Sequence, residues 1–342
     1  MTILCKLNNG EKIQPPPIWM MRQAGRYLPE YNVVRQKAGS FLGLCYNPKL
    51  ASEVTLQPID RFDFDAAIIF ADILLIVKNL GFELDFIDQE GPVIYGSVDN
   101  YSTALDKKIS VESSNLMKVG EAINLTRKKL DTTKSLIGFC GAPWTVLTYI
   151  INRKSTKDFQ KTIDWAKNNY ALANEIIQNI TDLSVEYLSM QIDAGADVVK
   201  IFDSWAGVLP NELFLEWVIK PTSEITRKIK YKYPSCPIIG FPRGARELYV
   251  DYVDKTGVDI IALDSNLSRV FCRDELQKKI ILQGNVCPDL LRKGGKDLQN
   301  DVLDNLQMFG GKPFILNLGH GIIKDTPIDN ISELVKIVRN YK

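Results

Sequence analysis

GADVVKIFDS, residues 195–204, and GVDIIALDS, residues 257–265, share one pattern. Each stretch passes from a glycine into a short apolar run and leaves that run on the dipeptide Asp-Ser. A glycine suits the left-handed residue that ends many helices. A short apolar run without polar alternation is typical of a parallel strand that is covered on both faces. The pattern therefore predicts a repeated helix-to-strand unit of an α/β fold.

Six further runs of this kind occur along the chain. Together the eight runs are 17–21 (PIWMM), 66–70 (AAIIF), 135–140 (SLIGFC), 197–202 (DVVKIF), 237–241 (PIIGF), 259–264 (DIIALD), 279–284 (KIILQG) and 313–318 (PFILNL). Helical patterns such as 174–195 and 245–257 separate the later runs. Eight strand-helix units predict a closed (β/α)8 barrel of the TIM type.

The spacing of the runs is uneven near the start of the chain. About seventy residues separate the second run from the third, which exceeds an ordinary loop. Residues 82–98 are typical of a small hairpin, and residues 153–162 of a polar excursion before a long helix. No linker or low-complexity tract divides the chain, so we predict one domain, 1–342, built as a distorted barrel with early insertions.

The charge balance excludes a broad class of partners. The chain has 342 residues, with 42 Lys and Arg against 41 Asp and Glu, for a net charge of +1. It therefore generates no global field that would steer nucleic acid or an anionic membrane. The most apolar segment, 66–77, is too short to span a bilayer and contains Asp72. Without the apolar stretch of a signal peptide near Met1, a cytoplasmic location is expected.

Cysteine and histidine usage limits the possible chemistry. The six cysteines include no Cys-x-x-Cys pair, so neither a zinc cluster nor a disulfide framework is predicted. His320 is the one histidine in the sequence. A three-histidine zinc site is thereby excluded, and any Ser-His or Cys-His nucleophile would have to use this ring.

Barrel enzymes carry their sites at the carboxyl ends of the strands. The polar residues and glycine that follow the runs are Arg22, Arg26, Asp72, Gly141, Asp203, Ser204, Arg243, Asp264, Asn285 and His320, with Tyr149 a little further on. These positions are the candidate site.

Two arginines stand four residues apart in WMMRQAGRYLPEY, residues 19–31. Gly25 and Pro29 disfavour a helix there, so we expect Arg22 and Arg26 on a loop over the barrel mouth. Their planar guanidinium groups suit carboxylates or phosphates. The alternative is a pair of surface or interface salt bridges.

Asp72 interrupts an apolar run, where an unpaired carboxylate would be costly, so it needs a partner or a ligand. Structural pairing with an arginine is an equal alternative. His320 stands between Gly319 and Gly321 at the end of the last run, and we expect it to donate a hydrogen bond rather than to activate a nucleophile. Hydroxyls such as those of Tyr149 and Ser204 are weaker signals, because most bond to backbone.

Several blocks together resemble uroporphyrinogen decarboxylases. The blocks are 16–31 (PPIWMMRQAGRYLPEY), 41–74 (FLGLCYNPKLASEVTLQPIDRFDFDAAIIFADIL), 136–150 (LIGFCGAPWTVLTYI), 200–207 (KIFDSWAG), 282–291 (LQGNVCPDLL) and 314–322 (FILNLGHGI). The resemblance implies a distorted (β/α)8 barrel and a homodimer whose two clefts face each other. It also implies a cofactor-free reaction in porphyrin and haem biosynthesis, in which the four acetates of uroporphyrinogen III become methyls, giving coproporphyrinogen III and four CO2.

The resemblance also implies roles for individual residues. Arg22 and Arg26 correspond to the arginines that bind substrate carboxylates, and Asp72 to the aspartate that contacts the central pyrrole NH groups. These three form the implied catalytic set. The remaining implied substrate contacts are Gln23, Ala24 and Gly25 in the arginine loop, and Tyr149, Ser204 and His320. No metal or cofactor is implied.

Two rival functions differ in class. Methyltransferases on a related barrel bind zinc through thiolate and histidine ligands, and the lone His320 with no cysteine nearby disfavours them. A non-catalytic porphyrinogen-binding protein would keep the pocket but release no CO2.

Overall fold

The computed structural model describes residues 1–87, 90–98, 101 and 110–341. Its centre is a parallel sheet of seven strands in the order β1-β4-β5-β6-β7-β8-β9. The strands are β1 (Ala66–Ile68), β4 (Ser135–Gly141), β5 (Val198–Asp203), β6 (Ile238–Pro242), β7 (Ile260–Ala262), β8 (Ile281–Gln283) and β9 (Phe314–Ile315). Each strand lies within or overlaps one of the predicted runs. The α/β barrel prediction is thereby confirmed.

The first predicted run, 17–21, joins the two edges of this sheet without forming a regular strand. Leu316 donates its N–H to the carbonyl of Pro17 at 2.9 Å, and Asp65 donates its N–H to the carbonyl of Ile18 at 2.9 Å. Only Ile18 forms a ladder bridge, parallel to Leu316. The prediction of a full strand is therefore wrong in this detail. Pro17 has no N–H to offer a ladder, and the N–H groups of Ile18 and Met21 donate to the side chains of Asp65 and Asn317 at 2.7 and 3.1 Å.

Helices pack around the sheet and connect its strands. They are α1 (Ile3–Asn8), α2 (Pro29–Ala38), α3 (Phe41–Cys45), α4 (Pro48–Phe62), α5 (Met117–Lys129), α6 (Pro143–Asn152), α7 (Gln160–Asn168), α8 (Tyr170–Asp193), α9 (Asn211–Phe214), α10 (Lys220–Lys232), α11 (Tyr249–Thr256), α12 (Arg269–Phe271), α13 (Pro288–Lys293), α14 (Gly295–Phe309) and α15 (Ile328–Arg339). The predicted helices 174–195 and 245–257 correspond to α8 and α11. Gly195 and Gly257, after these helices, have φ values of 114° and 72°, as the helix-ending pattern predicts.

The early insertion contains the predicted hairpin. Strands β2 (Glu83–Ile87) and β3 (Gly91–Tyr95) pair antiparallel. The tip of the predicted hairpin at 88–89 lies outside the described residues. Ile94 of β3 donates its N–H to the carbonyl of Arg153 at 2.7 Å, so the hairpin is attached to the polar segment after α6. That predicted excursion is irregular from 153 to 159, and α7 begins at Gln160.

Apolar side chains fill the inside of the barrel. This inner core includes Trp19, Met21, Ala66, Ile137, Val198, Ile239, Phe241, Ile260, Ala262 and Ile315. Leu4 and Leu7 of α1 belong to the same cluster, and the N–H of Leu4 bonds to the Ser135 hydroxyl at the start of β4 at 3.0 Å. Because α1 covers the amino ends of the strands, the mouth of the barrel is at the carboxyl ends.

Candidate active site

The arginine loop is pinned to the first strand by a buried glutamine. Gln23 is fully buried, and its Nε2 donates to the carbonyl of Ala66 at 3.1 Å. Its Oε1 accepts the N–H of Met20 at 3.1 Å, and its carbonyl accepts the Tyr27 hydroxyl at 2.6 Å. The Gln23 side chain therefore supports the loop from below, so a direct ligand contact there falls to its backbone. Ala24 and Gly25 in the same loop are half-buried.

Arg22 is exposed on this loop with a φ of 60°. Non-glycine residues rarely adopt the left-handed region, and those that do cluster at functional sites. A Cβ built on Gly321 would lie 2.3 Å from Arg22 Cδ. The stem of Arg22 therefore lies against Gly321, beside His320.

Arg26 is exposed further along the loop. Its carbonyl accepts a hydrogen bond from the Asn32 side chain at 2.9 Å, which fixes the loop backbone at this position. Within the described part of the chain, neither Arg22 nor Arg26 forms a salt bridge with a carboxylate. The alternative of salt bridges within the chain is therefore not supported for these two arginines.

Asp72 lies in the irregular segment that follows β1 and is half-buried. The Leu74 N–H donates to its Oδ1 at 2.9 Å. Burial raises the pKa of this carboxyl to about 6, while the Leu74 hydrogen bond and the charge of Arg22 act in the opposite direction. The carboxylate thus finds a backbone partner, while Arg22 remains within electrostatic reach without an ion pair.

Tyr149 and His320 both lie within electrostatic reach of Arg22. Burial raises the pKa of Tyr149, while side-chain hydrogen bonds with Ser155 and Trp205 lower it, and the smaller effects of the Asp72 and Arg22 charges oppose each other. Burial also lowers the pKa of His320 to about 3, assisted by the cations Arg22, Arg243 and Lys200. His320 is therefore neutral near pH 7, with one ring nitrogen that donates and one that accepts. His320 can orient a ligand through a hydrogen bond, but near pH 7 it is not protonated to act as a general acid.

Ser204 follows β5 directly and sits in a turn held from two sides. The N–H of Trp205 donates to the Thr145 hydroxyl at 3.1 Å, and this hydroxyl donates to Asp203 at 2.5 Å. Trp144 Nε1 donates to the carbonyl of Trp205 at 3.1 Å. The ring centres of Trp205 and Tyr149 lie 6.4 Å apart, so the turn after β5 adjoins Tyr149.

Sequence reasoning missed the two residues of α6 that fix this turn, Trp144 and Thr145. The order Ala-Pro-Trp-Thr at 142–145 signals a helix start with proline at its first position. It does not reveal that the first turn of the helix bonds to a loop after another strand.

The described residues contain no group of three His, Cys, Asp or Glu placed to hold a metal ion. No helix in the described ranges is long and apolar enough to cross a membrane. The mouth instead presents arginines without carboxylate partners in the described residues, the Asp72 carboxylate, a neutral imidazole and hydroxyls. This combination suits a ligand that carries several carboxylates together with NH donors.

Comparison with known proteins identifies the family. The sequence model of uroporphyrinogen decarboxylase (URO-D) matches residues 2–341. A uroporphyrinogen decarboxylase from Orientia tsutsugamushi (strain Ikeda) is 48% identical, over 100% of this chain and 99% of that protein. One from Chelativorans sp. (strain BNC1) is 46% identical, over 97% and 96% of the two chains. These matches cover both the arginine loop and the last strand.

Solved structures of proteins with other named functions share this fold. A methyltransferase from Methanosarcina mazei superimposes with a TM-score of 0.79 at 18% identity, over 98% of this chain and 96% of that chain. A B12-independent methionine synthase from Shewanella sp. W3-18-1 gives a TM-score of 0.56 at 11% identity, over 85% and 87%. Such identities show a common barrel and carry no argument about chemistry, so the methyltransferase alternative gains nothing from them. The chain belongs to the uroporphyrinogen decarboxylase family of enzymes.

Proposed function

We propose that this chain decarboxylates the four acetate side chains of uroporphyrinogen III to methyls, releasing coproporphyrinogen III and four CO2 without a cofactor, as a step in porphyrin and haem biosynthesis. The observation that carries the proposal is that Arg22, which has no described carboxylate partner, lies within electrostatic reach of Asp72 at the barrel mouth of a decarboxylase-family chain. A substrate with eight carboxylates explains unpaired arginines in a chain whose net charge is only +1.

Decarboxylation needs an acceptor for the electron pair of the broken C–C bond. A proton added to a pyrrole ring carbon makes that ring a cation, which accepts the pair as CO2 leaves the adjacent acetate. The exocyclic carbon then takes a proton to become a methyl, and the ring carbon returns its own. For each side chain, one acetate group and one proton give one methyl group and one CO2. The substrate itself is the electron sink, so the protein has to bind, orient and stabilise charge.

The proposed roles are those that the family resemblance implies, and the positions of these residues after the strands support them. Asp72 accepts pyrrole N–H bonds and, as an anion, stabilises the ring cation. Arg22 and Arg26 bind carboxylates through their planar forks. The remaining proposed contacts are the loop backbone at Gln23, Ala24 and Gly25, the hydroxyls of Tyr149 and Ser204, and the neutral imidazole of His320.

The test is an anaerobic assay of the purified chain with uroporphyrinogen III. Trapped CO2 and chromatography of the oxidised porphyrins should show a series from eight carboxylates to four, and the rate should survive treatment with a strong chelator. Substrate binding with no carboxyl loss would instead assign a non-catalytic porphyrinogen-binding protein.

Gly321→Ala should lower kcat/KM by about tenfold or more while the fold is kept. The new Cβ would lie 2.3 Å from Arg22 Cδ and 2.6 Å from Cγ, so the exposed Arg22 side chain has to move. Steady-state kinetics and thermal unfolding measure the two effects. Gly311→Ala is the matched control, because a Cβ on Gly311 meets nothing within 4 Å. Unchanged kinetics in the Gly321 variant would remove Arg22 from the proposed site.

We also propose that the chain acts as one domain and forms a homodimer in the cytoplasm. Membership of the family supports this proposal, since the resemblance that identified the chain also implies paired clefts. Sedimentation equilibrium at micromolar concentration should give twice the mass of 38.6 kDa. A single species at the monomer mass would reject the dimer.

A further inference from the structure

Arg243 is the first residue after β6 and is held between the neighbouring strands. Its N–H donates to the carbonyl of Asp203, the last residue of β5, at 3.0 Å. Its carbonyl accepts the N–H of Gly207 at 3.0 Å. The next residue, Gly244, donates its N–H to Asp264 Oδ2 beyond β7 at 2.8 Å. The backbone from which the Arg243 side chain projects is thus fixed at the carboxyl ends of three strands.

The loops on either side of Arg243 are also in van der Waals contact. A Cβ added to Gly207 would lie 2.2 Å from the backbone of Gly244, so only glycine at 207 allows this approach. Gly244 itself has a φ of 78°. A loop packed this closely holds its side chain ready before a ligand arrives.

The Arg243 side chain extends toward the proposed site. Its guanidinium carbon lies 6.0 Å from the centre of a Trp205 ring, and Trp205 directly follows Ser204. Its charge is among those that lower the pKa of His320. Arg243 therefore reaches the mouth of the barrel between the turn after β5 and the glycine-flanked His320.

Arg243 lacks the partner that comparable arginines have. Three other partly buried arginines in the described part of the chain pair with carboxylates: Arg127 with Asp197, Arg269 with Asp301, and Arg339 with Asp65. The half-buried Arg243 forms no ion pair or guanidinium hydrogen bond with any described residue. A partly desolvated cation without a counter-charge is costly. An anion supplied by the ligand would remove that cost.

We propose that Arg243 binds a substrate carboxylate, as a third arginine of the site beside Trp205 and His320. The inference rests on the proposed function, since it assigns this residue to the same polycarboxylate ligand. Trp205 orients the planar guanidinium, and the fork then pairs with a carboxylate in two parallel hydrogen bonds.

Two kinds of substrate side chain carry a carboxylate. Uroporphyrinogen carries four acetates, which react, and four propionates, which remain in coproporphyrinogen. If Arg243 binds a propionate, its loss weakens both molecules. If it binds an acetate, its loss weakens uroporphyrinogen alone.

The test compares Arg243→Met and Arg243→Lys with the wild-type chain. KM for uroporphyrinogen should rise about tenfold or more in Arg243→Met, with a smaller change in kcat, and Arg243→Lys should recover part of the loss. Anaerobic titration of Arg243→Met with coproporphyrinogen then shows which side chain Arg243 binds. Weaker coproporphyrinogen binding indicates a propionate. Unchanged coproporphyrinogen binding together with a raised KM for uroporphyrinogen indicates an acetate. Arg227→Met on α10 is the control, because Arg227 is exposed there.

An unchanged KM together with unchanged coproporphyrinogen affinity in Arg243→Met would overturn the inference. So would a fall in kcat alone that Arg243→Lys fails to recover, since that pattern marks a structural role. If Arg243→Met does not fold, Arg243→Gln, which keeps a polar end, takes its place. If the wild-type chain binds coproporphyrinogen but turns nothing over, the proposed function fails, while the affinity comparison still tests Arg243.

Discussion

Asp72→Asn should lower turnover by about two orders of magnitude or more while weakening coproporphyrinogen binding only modestly. The amide has nearly the shape of the carboxylate and still accepts a pyrrole N–H bond, but it supplies no charge to the ring cation. The fold should not suffer, because the burial that raises the pKa of Asp72 to about 6 penalises its anion. Single-turnover rates, coproporphyrinogen titration and circular dichroism measure the three quantities.

The pH dependence of kcat/KM is a second test of the role of Asp72. With a pKa of about 6, Asp72 is an anion above that value and becomes neutral as the pH falls through it. Wild-type kcat/KM should therefore decline below about pH 6 if the anion is required, and this limb should be absent in Asp72→Asn.

Asp72→Glu is the charge-preserving control. It keeps the anion but moves it about one methylene into the ligand, which should impair both binding and turnover. Near wild-type turnover in Asp72→Asn, with an unchanged acid limb, would mean that Asp72 is structural and that the ring cation is stabilised elsewhere.

The fold and the residues at the strand ends were readable from the sequence for a physical reason. Strands covered on both faces need continuous apolar runs, and barrel geometry brings the residues after those runs to one mouth. Asp72, His320 and Arg243 were found by this rule. The same rule failed at 17–21, where the apolar run predicts a strand but the N–H groups of Ile18 and Met21 donate to side chains instead of a neighbouring strand.

Other features depend on contacts between distant segments, which local patterns do not encode. Gln23 lies between two arginines of a polar loop, yet its side chain is fully buried against Ala66. The position of Arg22 depends on a glycine near the far end of the chain, Gly321. A periodicity or a motif can nominate such residues, but only the packing shows whether they face a ligand or support the loop.

Lys200 is a buried lysine inside one of the apolar strand runs. It occupies the third position of β5 and is fully buried. Its Nζ lies 5.1, 4.6 and 5.0 Å from the ring centres of Trp19, Phe202 and Phe241. No described carboxylate forms an ion pair with it. Burial holds the pKa of the amine well below its usual range, and the aromatic faces offset only part of that penalty.

Lys200→Met should therefore stabilise the fold at pH 7, by ~1–4 kcal/mol, the range for replacing buried charged groups with well-packed apolar ones. Because the folded-state pKa is depressed, the unfolded chain binds the proton more tightly. The free energy of unfolding of the wild-type chain then rises with pH between the pKa of Lys200 in the folded state and its pKa in the unfolded state, about 10.4. The advantage of the methionine should accordingly shrink as the pH approaches 10. Urea unfolding at pH 7 and pH 10 measures it, with Lys129→Met, at an exposed position of α5, as the control. A less stable variant, or the same gain at both pH values, would mean that the aromatic rings stabilise a charged ammonium inside the barrel.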